Sequence, residues 1–208
     1  MRSRDRARRP AVFVDRDGTL NREVDYLRRV ADLRLVPGTA AAVRRLTGAG
    51  FAVVVVTNQS GIARGLIAPA TLTDIHATLQ RRLGRAGAHL AGIYVCPHHP
   101  DVGAPPFRRR CRCRKPRPGL VDRAVREQDL DLARSYCVGD STVDLRLAAA
   151  IGTPAVLVLT GHGKRTAKTL APTAVAHVAA NFRAAAEWII DDARNAAAHE
   201  RRRPRRRR

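Results

Sequence analysis

Apolar residues fall along this chain in two kinds of run. Short blocks such as "AVFVD" (Ala11–Asp15), "LAGIYVC" (Leu90–Cys96), "SYCVGD" (Ser135–Asp140) and "PAVLVLTG" (Pro154–Gly161) are rich in β-branched residues. "FAVVVVTN", Phe51–Asn58, is the strongest: an apolar run with no polar alternation, the pattern of a strand covered on both faces. Between the blocks lie stretches of helical periodicity. These are Gly38–Gly50, with Thr39 as cap and Gly48 or Gly50 as stop, Pro69 to about Ala86, Leu120–Gln128, Thr142–Gly152 and Arg183–Glu200. Strand and helix alternate, which predicts an α/β fold: a Rossmann-like open parallel sheet with helices on both faces and right-handed crossovers. In such sheets a ligand sits beyond the carboxyl ends of the strands.

Three polar clusters follow predicted strand ends: "DRDGTLN" at Asp15–Asn21, "TNQS" at Thr57–Ser60 and "GDSTVD" at Gly139–Asp144. All three should meet on one edge of the sheet. Asp15 and Asp17, two residues apart on an extended loop, point in different directions, so one can attack while the other handles protons. A third carboxylate from "GDSTVD" could complete a hard oxygen site for Mg²⁺. A solitary D-x-D is common in solvated turns; here four apolar residues precede it and "GTLN" follows.

A proline-rich segment, "PHHPDVGAPPFRRRCRCRKPRPG" after Cys96, cannot be regular structure. It carries Cys111 and Cys113, and with Cys96 these put three of the four cysteines within eighteen residues. Adding one histidine gives a Cys₃His set, the composition of a closed tetrahedral zinc site, and a metal would supply the folding energy that the segment lacks. Spacing leaves His98 and His99 as equal candidates. Cys137, inside a strand block, reads as a small buried apolar residue. Lys115 is one of only three lysines in an arginine-dominated chain. It offers a point charge, and Arg114 beside it could clamp a second anionic group. Pinning the loop would position both.

These residues resemble a known family. "DRDGTLN", "VVVVTNQSG", Lys115 in "CRKPRPG" and "VGDSTVD" are similar, in order and strand context, to the four motifs of the haloacid dehalogenase superfamily of phosphatases. Within it, "DRDGTLN", "TNQSGIARG" and "CPHH…CRCRKPRPG" resemble the D-glycero-D-manno-heptose-1,7-bisphosphate 7-phosphatase family, itself related to the histidinol-phosphatase domain. The resemblance implies Asp15 as nucleophile, forming an aspartyl phosphate, and Asp17 as proton donor and acceptor. It implies Mg²⁺ on Asp15, the backbone carbonyl of Asp17, and Asp140. Thr57 and Asn58 would bind the phosphoryl oxygens and Lys115 would neutralise their charge. Substrate contacts would come from Glu23, Val24, Asp25 and Tyr26, from Gln59 and Ser60, and from Arg114 and Ser141, the last standing where a lysine is common in relatives. The resemblance selects His98 as the zinc ligand beside Cys96, Cys111 and Cys113. Asp144 could hold Lys115, support the metal shell or cap the following helix. Only 41 residues separate Asp15 from Thr57, too few for a large cap domain. The implied substrate is a small sugar phosphate; histidinol phosphate is the alternative, and a phosphotransferase passing the phosphoryl group to an acceptor is a further one.

Composition changes this picture in one respect. The net charge of +21 raises nucleic acid as a partner. Yet five arginines lie in residues 1–9 and seven in 201–208; without these and Asp5 the excess is ten, spread along the chain. The expected organisation is a basic arm over 1–9, a phosphatase domain over 10–199 and an arginine-rich tail over 200–208. The ends would be solvated arms making nonspecific contacts with nucleic acid. A nucleic-acid reader is the less favoured class, since the metal segment lacks a reading helix and, Phe107 aside, stacking aromatics. No run approaches transmembrane length and none resembles a signal peptide, so a cytoplasmic monomer with reduced thiols is expected.

Overall fold

The computed structural model describes residues 8–171 and 173–202, without side chains for 200–202. Six strands form one parallel sheet: β1 (Arg9–Val14), β2 (Ala52–Asn58), β3 (Gly92–Cys96), β4 (Leu130–Gly139), β5 (Ala155–Val158) and β6 (His177–Ala179). Their spatial order is β3-β2-β1-β4-β5-β6. The helices are α1 (Thr39–Gly48), α2 (Pro69–Arg85), α3 (Gly119–Gln128), α4 (Thr142–Ile151), α5 (Gly163–Ala167) and α6 (Phe182–Arg202), with a 3-10 turn at Val30–Asp32. The expected open parallel sheet is present.

Both faces are covered because both sets of alternating side chains are apolar. Val12, Val14, Val53 and Val55 pack against Val43 and Leu46 of α1, Ile75 and Leu79 of α2 and Ile189 of α6. Ala11, Phe13, Ala52, Val54 and Val56 pack on the other face against Leu120 and Val121 of α3 and Leu147 and Ala148 of α4. Removing one wholly buried side chain, as in Leu79→Ala, should cost about 2–5 kcal/mol.

The chain runs outward from β1 through β2 to β3, then crosses back to β4 and continues to β6 on the other side. That reversal lies between β1 and β4, where Val14 pairs with Val138 and the Asp15 N–H donates to the Val138 carbonyl at 3.0 Å. Loops diverge there, and a crevice opens at the strand tips.

Several details depart from expectation. β4 starts at Leu130 rather than Ser135; its first half alternates buried Leu130 and half-buried Leu132 with polar Asp131 and exposed Ala133 and Arg134, not an unbroken apolar run. Short α5 and β6 were not legible in the pattern. Thr39 does not cap α1: Gly38, at φ 84°, holds the cap position, and the Thr39 hydroxyl instead donates to the Leu20 carbonyl at 3.0 Å. Gly48 ends α1 and Gly50 turns the chain at φ 92°. The expected arm and tail lie mostly outside the described residues, although Arg8 pairs with Asp129 at 3.0 Å and Arg9 opens β1. Among the described residues no helix is long and apolar enough to cross a membrane.

Candidate active site

Four neighbouring strand tips and one loop deliver the polar residues. A cleft of about 370 Å³ is lined by Asp15 and Asp17 after β1, Thr57, Asn58, Gln59 and Ser60 at the end of β2, and Asp140, Ser141 and Val143 after β4. His162 after β5, Arg114 and Lys115 from the proline-rich segment, and Glu23, Asp25 and Tyr26 complete it. Val24 is the one expected substrate contact outside this lining; it is 45% exposed and faces a neighbouring groove with Arg28 and Arg34.

Lys115 is the electrostatic centre. Its buried Nζ donates to Asp15 Oδ1 at 2.8 Å and to Asp144 Oδ1 at 2.6 Å. Burial opposes its charge, but the two carboxylates outweigh it and hold the ammonium well above the usual lysine range. Asp144 turns its other oxygen to Ser141, accepting the backbone N–H at 3.2 Å and the hydroxyl at 2.6 Å. One side chain thus caps α4 and anchors the lysine. Two of the three roles left open by the sequence are filled at once, because the N-terminal turn of α4 faces the cleft.

Asp15 and Asp140 share a hard oxygen environment. Oxygens of Asp15, Asp140 and Asp144 lie within 4.8 Å of one another. Burial lifts the Asp15 carboxyl to about 7, against the pull of Lys115. Burial likewise lifts Asp140 to about 7, although the His162 N–H donates to its Oδ2 at 2.7 Å. Such a set suits a small divalent cation of oxygen preference. Since both oxygens of Asp144 are engaged, Asp15 and Asp140 are the available side-chain ligands. Space is made for them by Gly18, at φ 75°: a Cβ there would lie 2.1 Å from Asp140 Oδ2, so only glycine allows the first loop to close over the carboxylate.

Asp17 has a different environment. Its Oδ1 accepts from Arg16 Nε (3.1 Å), both its oxygens accept from one Arg16 terminal nitrogen (3.0 and 2.7 Å), and it also accepts from Asn21 Nδ2 (2.9 Å) and Gln59 Nε2 (2.8 Å). Burial pushes its proton affinity up, but the Arg16 guanidinium and these hydrogen bonds outweigh that and leave the carboxyl below its ordinary value. Gln59 also donates to Thr57 Oγ1 at 2.9 Å, which leaves the threonine proton for an oxygen in the cleft. Asn58 takes a role not foreseen: its Oδ1 accepts from the Lys115 N–H at 3.0 Å and its Nδ2 donates to the Lys115 carbonyl at 3.2 Å.

The first substrate loop is held from within. Glu23 Oε1 accepts the N–H groups of Val24 (2.9 Å) and Asp25 (2.8 Å), while Asp25 and Tyr26 adopt left-handed φ of 48° and 84°. A non-glycine pair in that region stores strain that the Glu23 bonds offset.

Cys96, His98, Cys111 and Cys113 converge with ligand atoms within 4.8 Å. The separations are 3.6 Å for Cys96–Cys111, 3.3 Å for Cys111–Cys113, 3.7 Å for Cys96–His98 and 3.3 Å for His98–Cys113. A tetrahedral ion at about 2.3 Å from each sulfur has sulfur–sulfur edges of about 3.8 Å, so the four groups fit such an ion and are too far apart for a disulfide. His99 is turned away: its Nδ1 accepts from the N–H groups of Asp101 and Val102, both at 3.1 Å. Arg114 donates to the His98 carbonyl at 3.0 Å, tying the cluster to the cleft wall.

Arg16, Asn21, His76 and His162 were assigned no role from the sequence. Arg16 and Asn21 lie inside "DRDGTLN", so proximity to the paired aspartates was the available signal; His76 and His162 had none.

Comparison with known proteins agrees with this geometry. A family model described as "HAD-hyrolase-like" matches residues 112–185. The chain is 41% identical, over 88% of its length and 90% of the relative's, to D-glycero-beta-D-manno-heptose-1,7-bisphosphate 7-phosphatase of Yersinia pestis. It is 40% identical to the protein of that name from Escherichia coli strain K12, over 88% of each chain. The crystal structure of D,D-heptose 1,7-bisphosphate phosphatase from B. bronchiseptica, complexed with magnesium and phosphate, is similar with a TM-score of 0.78 and 39% identity, covering 88% of this chain and 99% of that one. With the expected acids at the tips of β1 and β4 and relatives this similar over nearly their whole length, the chain belongs to the D-glycero-β-D-manno-heptose-1,7-bisphosphate 7-phosphatase family of the haloacid dehalogenase superfamily.

Proposed function

We propose that this chain is a magnesium-dependent phosphatase that removes the 7-phosphate of D-glycero-D-manno-heptose 1,7-bisphosphate through an aspartyl phosphate on Asp15. The β anomer named for its relatives is the expected substrate. The observation that carries the reading is the meeting of Asp15, Asp17, Thr57, Lys115 and Asp140 in one cleft. Magnesium, bound by Asp15, Asp140 and the backbone carbonyl of Asp17, would neutralise charge between the carboxylate and the incoming phosphate. Zinc in the Cys96–His98–Cys111–Cys113 cluster would brace the loop that carries Arg114 and Lys115.

The chain's own residues divide the work as follows. Lys115 holds Asp15 Oδ1, so Oδ2 is the oxygen that bonds to phosphorus. Thr57 donates its hydroxyl proton to a phosphoryl oxygen, and the Lys115 ammonium offsets charge that builds there. As the sugar oxygen leaves, Asp17 supplies a proton. Its carboxyl is ionised in the free cleft and takes that proton up when a dianionic phosphate docks beside it, because a neighbouring negative charge raises proton affinity. In the second half Asp17, ionised again, withdraws a proton from the water that opens the acyl phosphate. Arg114 and Ser141 at the mouth, with Asp25 and Tyr26, select the sugar. The cytoplasm and a monomeric state fit a soluble sugar-phosphate substrate and free thiols; the arginine-rich ends add only nonspecific nucleic-acid contact.

The test is phosphate release from heptose 1,7-bisphosphate and from histidinol phosphate, with and without Mg²⁺, with Asp15→Asn as control. Faster turnover of histidinol phosphate, or full activity in Asp15→Asn, overturns the reading. Transfer of label to an added sugar in preference to water would identify a phosphotransferase instead.

A further inference from the structure

Arg16 is wholly buried, an unusual place for a guanidinium. A guanidinium has five N–H donors in one plane. Nε and Nη2 face Asp17, with Nη2 also reaching Gln59 Oε1 at 3.0 Å. Nη1 donates to His76 Nε2 at 2.8 Å. Among the described residues, Nη1 has no other partner.

The first three members of this network form a closed ring. Arg16 donates to Asp17 and to Gln59, and Gln59 donates to Asp17. All three stand on the segments after β1 and β2, where Asn21 also donates to Asp17 and Gln59 to Thr57. His76 differs in its footing: it lies on α2, whose Ile75 and Leu79 are locked in the core beneath the sheet. A planar donor array held on one edge by a carboxylate and on the opposite corner by a helix-borne acceptor has a fixed plane. Burial, and secondarily the Arg16 charge, push the His76 ring down to about 4. Because a guanidinium only donates, Nε2 is the acceptor of the bond from Arg16.

We propose that His76 is a positioning residue for proton transfer: by accepting an N–H of buried Arg16, it fixes the guanidinium plane and so aims the Asp17 carboxyl at the leaving sugar oxygen. This rests on the reading of Asp17 as the proton donor. His76 touches neither the phosphate nor the nucleophile, so its effect falls on the step that needs a proton and spares the one that does not.

The distinction is measurable. A sugar alkoxide must be protonated as it leaves, whereas 4-nitrophenolate departs without help. With the full-length, magnesium-loaded protein, His76→Leu removes the acceptor and His76→Gln keeps one. In His76→Leu, kcat on heptose 1,7-bisphosphate should fall about tenfold, the cost of a small misplacement of a proton donor, with KM within about twofold. Single-turnover release of 4-nitrophenolate from 4-nitrophenyl phosphate should stay within about twofold of the unaltered protein, and His76→Gln should recover most of the heptose rate. Equal losses on both substrates, unchanged heptose turnover in His76→Leu, or no recovery in His76→Gln would each overturn the proposal. Asp17→Asn, run alongside, separates the two ideas. If it retains full heptose turnover, the role of Asp17 fails; if it alone loses the sugar-specific rate, only the role of His76 fails.

Discussion

The strand-tip carboxylates and the cysteine–histidine loop each gather ligand atoms within 4.8 Å, but on opposite foundations. Asp15 and Asp140 extend from β1 and β4, whose side chains fill two apolar layers before the acids begin. Their position is fixed by the sheet, and a cation there changes charge more than shape. Cys111 and Cys113 belong to a segment of turns and bends between β3 and α3. Phe107 packs on a small apolar cluster of Ile62, Ile67 and Leu72, and Cys111 and Cys113 rest against the edge of the core on the α3 face of the sheet. A cation there holds shape more than charge. One site is a chemical device on a finished scaffold; a metal at the other would brace the scaffold itself.

That contrast orders the expected effects. Largest is Asp15→Asn, which keeps size and loses the nucleophile: kcat should fall by more than about 10⁴-fold with circular dichroism and melting nearly unchanged. A substantial unfolding in this variant would erase the claimed rigidity of the strand tips. Next is Cys111→Ser, expected to lower kcat about 10²-fold and to increase amide exchange across residues 96–115 while β1 and β2 stay protected. Uniform loss of protection over the sheet would mean that the two regions share one foundation.

The third effect concerns acidity. Asp15 and Asp140 are lifted from 3.8 to about 7, so protons compete with a cation as pH falls through that value. The Mg²⁺ concentration for half-maximal activity should rise about tenfold between pH 7 and pH 6, and level off above pH 8. A flat requirement from pH 5.5 to 8 would remove the electrostatic account of the carboxylate pair. Smallest is removal of residues 203–208: kcat should change by less than about twofold, while retention on a nucleic-acid column at low salt weakens.

The sequence made the scaffold and the acids readable for a shared reason. Unbroken apolar runs such as Val53–Val56 admit one interpretation, and a polar cluster after each run marks the strand's end. What escaped was set by partners far apart in sequence. The second role of Asn58 is one such case: the backbone of Lys115, 57 residues on, meets both ends of its amide. His98 and His99 have identical spacing claims, and only the loop's path turns one inward. Arg16 was visible as a neighbour of two aspartates, but its burial depends on α2, and nothing local to "DRDGTLN" reports a histidine sixty residues away. β6 is three residues long, too short for any period to emerge.

The amide of Asn58 has one more consequence. By gripping the main chain of Lys115 on both sides, it ties the ammonium to the second strand's tip as well as to the segment that encodes it.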